Sequence, residues 1–137
     1  MSDNNVLSKL NKIEFHLNKV VANRIDKEPK GKKLNINQDA ICTVLERTKE
    51  KLNAKINIRI SIDPEALFSM EIEHIVEIIF REETTDQEIE RNINEIVAPL
   101  GAEISYIIAS LTEKMFGAHI ILPPGIKIDK INNLYNQ

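Results

Sequence analysis

Two runs of strict alternation organise the chain. From Lys55 to Ile62, Ile56, Ile58, Ile60 and Ile62 alternate with Asn57, Arg59 and Ser61. One face is wholly apolar and the other wholly polar, the pattern of a strand in an antiparallel sheet with one solvated face. Asp63-Pro64 closes the run, since proline cannot donate a ladder hydrogen bond. The second run, Leu67 to Arg81, sets Phe68, Met70, Ile72, Val76, Ile78 and Phe80 on one face with His74 among them. Its other face carries Ser69, Glu71, Glu73 and Glu77, with Ile75 and Ile79 toward the end. At roughly 3.3 Å per residue this run spans about 45 Å, so a bend near His74 is expected. The short connection makes the two runs a hairpin. Earlier, Ile13, Phe15 and Leu17 alternate with Glu14, His16 and Asn18. Val20 and Val21 break that alternation and predict a bulge or change of face near Lys19. Pro29 and Gly31 end the element.

The period then lengthens. Thr85 and Glu88 have capping-box spacing, and Asp86 and Glu88 suit the positive end of a helix dipole. Ile89, Ile93, Ile96 and Val97 form its apolar stripe, which Ala98-Pro99 interrupts. A second helix follows with Pro99 in its first turn, a stripe of Leu100, Ile104, Ile107, Ile108, Leu111 and Met115, and Gly117 as its stop. A short apolar extension, His119 to Leu122, ends in Pro123-Pro124. Ile128, Ile131 and Leu134 suggest a weakly amphipathic last helix. One segment stays open. Ile41, Val44, Leu45, Thr48 and Leu52 fit a helix, whereas Leu34, Ile36, Ala40, Cys42 and Val44 share one strand parity. Strands followed by helices indicate an α+β fold with an antiparallel sheet.

Composition sharpens this picture. The 137 residues are read as one domain. Aromatics are 4% and Trp is absent, so the core is aliphatic. The net charge of −3 and the absence of a basic stripe argue against nucleic-acid binding. Lys27 to Lys33 is the only dense basic run, and its Pro and Gly make it a loop. A single cysteine, Cys42, no signal-peptide pattern and no apolar run of roughly 20 residues lead us to expect a soluble cytoplasmic protein that does not insert into membranes.

No constellation carries catalysis. His16, His74 and His119 stand on separate elements without metal-ligand spacing. Cys42 has no activating neighbours in sequence, and the four glycines form no phosphate loop. Neither a metal nor a cofactor is expected, and the chain is read as a non-enzyme. What remains is surplus aliphatic surface, and contiguous exposed apolar surface marks interaction sites. Self-association and a groove for extended apolar peptides are the two readings.

The order of elements also resembles the SecB family of protein-export chaperones and SecB-like chaperones. The resemblance rests on Phe15 and Leu17, the alternation Ile56 to Ile62, Phe80, Ile104-Ser105-Tyr106 through Ser110-Leu111-Thr112, Gly117 and Leu122-Pro123-Pro124. It spans about residues 13 to 124 and implies a four-stranded antiparallel sheet with helices packed on one face. In that frame Leu34 to Arg47 becomes a strand paired with Lys55 to Ile62, and residues 1–12 and 125–137 become tails of a single domain. The implied activity is ATP-independent holding of non-native polypeptides, either exported preproteins or a dedicated client such as an antitoxin, by a homotetramer. Candidate groove residues are Phe68, Met70, Tyr106, Ile107, Met115, Phe116, Ile120 and Ile121. Export-type members dock the SecA motor through acidic positions, for which Glu28, Glu71, Glu73 and Glu77 are the candidates. The first-strand region here is mixed in charge, and the chain ends Asn136-Gln137 without an acidic tail. The competing reading is an assembly protein whose apolar faces serve only homo-oligomerisation.

Overall fold

A computed structural model describes residues 6–25, 35–63, 67–117, 119–122 and 125–135. After one 3₁₀ turn, Val6–Lys9, come four long strands: β1 (Leu10–Ile25), β2 (Asn35–Thr48), β3 (Lys51–Asp63) and β4 (Leu67–Phe80). Two helices follow, α1 (Asp86–Ile96) and α2 (Ala98–Phe116), and then a short strand β5 (Lys130–Asn132). The sheet order is β1-β4-β3-β2-β5. The four long strands pair antiparallel, and β5 lies parallel to β2. The fold is α+β, with one short strand more than the four expected.

β3 and β4 occupy the middle of the sheet, and their period-two pattern decides the core. Every even position of β3 from Leu52 to Ile62 and of β4 from Phe68 to Phe80 is buried. Apart from His74, these residues form one cluster with Ala40, Cys42 and Val44 of β2, Ile89, Ile93 and Ile96 of α1, and Leu100, Ile104 and Ile108 of α2. Burying one such aliphatic side chain contributes about 1.5–3 kcal/mol. The helix-free face keeps the polar set Asn57, Arg59, Glu71, Glu73 and Glu77.

β4 runs unbroken through His74, and the irregularity expected there falls on its neighbour. β1 shifts register between Leu17, which lies opposite His74, and Lys19, which lies opposite Glu73. That extra residue returns Val20 and Ala22 to the face of Ile13, Phe15 and Leu17, as the Val20-Val21 break predicts. β2 is a strand through the whole ambiguous segment, with its own shift between Val44 and Glu46.

The helix ends follow local chemistry. Thr85 accepts a hydrogen bond from the Glu88 amide, and Glu88 accepts from the Thr85 amide, completing the capping box. Lys9 pairs with Glu88 at 2.8 Å, and Arg47 donates to Asp86 at 3.0 Å and to the Thr84 carbonyl oxygen, anchoring α1 to the sheet end. Val97 closes α1 and opens α2, with Pro99 in the first turn of α2. Gly117 ends α2 at φ +79°, a left-handed conformation that a β-carbon disfavours. By length and composition the helical stretch Asp86–Phe116 could cross a membrane; in this fold Leu100, Ile104 and Ile108 pack on the sheet instead.

The expected last helix is not formed. Ile131 lies opposite Cys42 in β5, the Asp129 amide donates to the Ala40 carbonyl oxygen at 2.8 Å, and the Ala40 amide donates to Asp129 Oδ2 at 2.8 Å. The open edge of β2 offers backbone partners that a short isolated helix lacks.

Candidate polypeptide-binding groove

α2 lies over the sheet on the Leu100, Ile104, Ile108 stripe, so residues on its flank and outer face stay open. Tyr106 is 73% exposed and Ile107 is half-buried. With Ser110 and Leu111 they follow helical spacing along one side of α2. Leu17 and Val20 of β1 form the opposite wall, and between them runs an open apolar groove of about 220 Å³. Strand order creates this wall: β1 is the outermost strand on its side, so nothing among the described residues covers Leu17 beyond α2.

The eight expected groove residues separate into three environments. Tyr106 and Ile107 line the groove. Met115, Phe116, Ile120 and Ile121 surround the end of α2 and the segment after it, outside that lining. The Phe116 ring lies 6.2 Å from that of Phe68, tilted by 50°, with the Arg24 guanidinium 5.7 Å over it. The Ile120 amide donates to Thr112 Oγ1 at 2.8 Å, and Ser105 Oγ donates to the Leu122 carbonyl oxygen at 2.8 Å. These bonds hold the extended segment against α2, tuck Leu122 in and leave Ile121 75% exposed. Phe68 and Met70 are 0% and 3% exposed and belong to the core. Leu17, Val20, Ser110 and Leu111 complete the groove. Leu17 and Leu111 carried apolar signals in the sequence, but nothing in the sequence put β1 beside α2.

A polar pair joins the sheet to the first turns of α2, beside Leu17. His74 Nε2 lies 2.6 Å from Glu103 Oε2, and the Phe15 ring meets the imidazole edge-on at 6.2 Å. Burial pulls His74 below its ordinary value, and the Glu103 carboxylate offsets part of that shift. The neutral ring donates from Nε2 to the carboxylate.

The acidic candidates lie on the helix-free face. Glu71 accepts from Asn57 at 2.7 Å and pairs with Lys19 at 3.6 Å. Glu73 accepts from Asn18 at 2.8 Å and lies 4.0 Å from Lys55, and Glu77 pairs with Lys51 at 3.3 Å. The Asn57 hydrogen bond, helped by Lys19 and Arg59, holds the Glu71 carboxyl below the usual carboxylate range. Glu28 lies outside the described residues. A depression of about 570 Å³ on this face is lined by Asp39, Lys55, Arg59, Glu71, Glu73 and Asp129 among others. It is larger than the groove, and most of the residues that line it are charged. No group of three or more His, Cys, Asp or Glu with metal-site geometry occurs among the described residues. Cys42 is buried, and that burial pushes its thiol up to about 12, which makes it a poor nucleophile.

No family model matches the chain, and no curated protein matches it in sequence. Solved structures do match. The Rv1957 SecB-like chaperone of Mycobacterium tuberculosis, solved in complex with a ChAD peptide from the Rv1956 HigA1 antitoxin, superposes with a TM-score of 0.68 at 13% identity. That match covers 85% of this chain and 91% of the other. A protein of unknown function from Streptococcus agalactiae matches with a TM-score of 0.50 at 14% identity, over 82% of this chain and 97% of the other. The chain described here has the fold of a SecB-like chaperone.

Proposed function

We propose that this protein is an ATP-independent holdase that takes extended apolar segments of non-native polypeptides into the groove between β1 and α2. The observation that carries the reading is an open groove with apolar walls, Leu17 and Val20 facing Tyr106, Ile107 and Leu111, on a SecB-like fold. A binder of many sequences needs aliphatic and aromatic surface more than fixed polar contacts. The similar mycobacterial chaperone holds an antitoxin peptide, which supports polypeptide clients here and favours a dedicated client over general export. Against SecA docking, Glu71, Glu73 and Glu77 each have a lysine within 4.0 Å, Lys19, Lys55 and Lys51 in turn, so the face is mixed in charge rather than acidic. Cytoplasmic residence and assembly into a tetramer belong to the same proposal.

A second reading has its own observation. β1 is 16 residues long and, among the described residues, has a strand neighbour on one side only, which leaves its other edge for pairing with another copy. In that reading the exposed apolar side chains serve assembly alone. The test is light scattering of several chemically unfolded clients diluted into buffer with the purified protein and no ATP. A holdase suppresses their aggregation at near-stoichiometric ratio. Failure with all general clients and with a toxin-antitoxin partner peptide would overturn the proposal in favour of the assembly protein.

A further inference from the structure

The His74–Glu103 contact has properties that packing alone does not require. His74 is 0% exposed, at the centre of the sheet, between Leu17 of β1 and Ile56 of β3. Leu17 is a wall of the groove. Glu103 stands one helical turn before Tyr106 and Ile107, which form the other wall. The 2.6 Å bond therefore ties α2, which carries one wall, to β4, the strand that pairs with the β1 wall at Leu17. His74 Nδ1 is buried with no hydrogen-bond partner among the described residues.

We propose that His74 and Glu103 form a proton-sensitive tie that fixes how α2 sits on the sheet and so how far the apolar groove is open. With a neutral ring, Nε2 donates to Glu103 and the bare Nδ1 lone pair sits among apolar neighbours. Protonation turns Nδ1 into a donor with nothing to receive it and places a cation in an apolar enclosure. Glu103 favours that cation, but its side chain is 41% exposed, so water screens its help, whereas the ring is fully enclosed. The groups around the ring are few. β1 presents Phe15 and Leu17, β3 presents Ile56, and α2 presents Glu103 as the titratable one; Glu14, His16, Lys55 and Asn57 point to the other side of the sheet. Enclosure prevails, in agreement with the lowering of His74 by burial ahead of the opposing effect of Glu103.

The sign follows. Above the ordinary histidine value of 6.5 the ring is neutral whether seated or released, and the tie holds fully. Below it the released ring takes a proton first, so the seated state loses stability as pH falls. Acidification loosens α2 against β1, and the groove loses its fixed width.

The test places an environment-sensitive fluorophore on Ser110→Cys, in the groove, with the native thiol of Cys42 protected by burial. Without any client, the emission of this protein shifts as pH is lowered below 6.5. His74→Gln, whose amide still donates to Glu103 but does not titrate, abolishes the shift. Glu103→Gln enlarges the shift and moves its onset to higher pH, because without the carboxylate the seated ring takes the proton less readily and release is favoured earlier. His119→Asn leaves the shift in place, although His119 Nδ1 contacts the carbonyl oxygen of Ala109 beside the label. Ring-proton NMR of the unlabelled chain assigns the titrating group directly and serves if His74→Gln fails to fold. Client binding is the second arm and rests on the proposed function. The affinity for reduced, carboxymethylated α-lactalbumin falls by about threefold or more from pH ~7.5 to pH ~5.5, and the drop disappears in His74→Gln. A shift that persists in His74→Gln, or a His74 ring that titrates at or above the ordinary value, overturns the proton-sensitive tie. A client arm without binding at any pH, beside an intact fluorescence transition, overturns the holdase reading and leaves the tie standing.

Discussion

Replacing Tyr106 by alanine separates binding from folding, because Tyr106 projects from the side of α2 that the core does not use. A tyrosine side chain covers roughly 150–250 Å² when fully enclosed, and Tyr106 is 73% exposed, so a client can cover on the order of 100 Å² of it. At about 25 cal/mol per Å² that contact is worth about 2.5 kcal/mol. Fixing the ring against a client costs about 1 kcal/mol, which leaves about 1.5 kcal/mol, or roughly a tenfold loss of affinity. The folded monomer loses almost nothing, within about 0.5 kcal/mol. Ile108→Ala, two positions along and 1% exposed, is the counterpart: it costs about 2–5 kcal/mol of stability by leaving a cavity. The assays are fluorescence anisotropy of a labelled unfolded client and urea melts of both variants. A Tyr106→Ala protein that melts like the wild type and binds with unchanged affinity would refute the assignment of the groove.

Other expectations concern the scaffold. Thr85→Ala removes the acceptor for the Glu88 amide and half of the capping box, and lowers stability by about 1 kcal/mol in a urea melt. The Glu88 carboxyl is held below its usual range, first by Lys9 and then by the Thr85 backbone amide; its contribution is present above the ordinary value of 4.5 and is lost as pH falls below it, and Lys9→Met flattens that part of a stability-pH profile. Cys42 in the native protein resists a thiol reagent at neutral pH and reacts fully in denaturant; rapid native labelling would contradict its burial. Phe68→Ala destabilises by about 3–5 kcal/mol, as a core residue does, and lowers client binding only in proportion to the fraction unfolded.

Period-two patterns were the most legible part of the fold. β3 alternates throughout, and β4 does so apart from Ile75 and Ile79 on its outer face, because both lie inside the sheet with one face under the helices. Even the β1 irregularity was visible, since Val20 can share the face of Ile13, Phe15 and Leu17 only after an extra residue. β2 was harder for a physical reason. Its bulge at Val44–Glu46 puts Leu45 out of step, so the apolar positions match a helix as well as a strand. β5 misled more fully: the three-residue spacing of Ile128, Ile131 and Leu134 reads as helical, and only the presence of an open β2 edge makes an extended path preferable.

The groove was half legible. Tyr106 and Ile107 stand out as apolar residues beyond the stripe that α2 needs for packing. Leu17 and Val20 become groove walls only because β1 is an edge strand next to α2, and strand order is not written in periodicity. Phe68 and Met70 show the reverse, since an apolar strand face looks the same whether a helix or a client covers it. Glu103 left one faint trace, a carboxylate beside the apolar stripe of α2 with Leu100 and Ile104 as neighbours; its partner His74 lies 29 residues away on another element.

Site-specific photocrosslinking addresses the groove most directly. A photoreactive phenylalanine analogue at Tyr106 is illuminated in the presence of an unfolded, labelled client, with the same analogue at Arg59 on the helix-free face as the reference. Client adducts are expected at position 106 and few at position 59, both competed by unlabelled client. Equal adducts at both positions, or only protein-to-protein adducts between copies at position 106, would contradict a client-binding groove between β1 and α2.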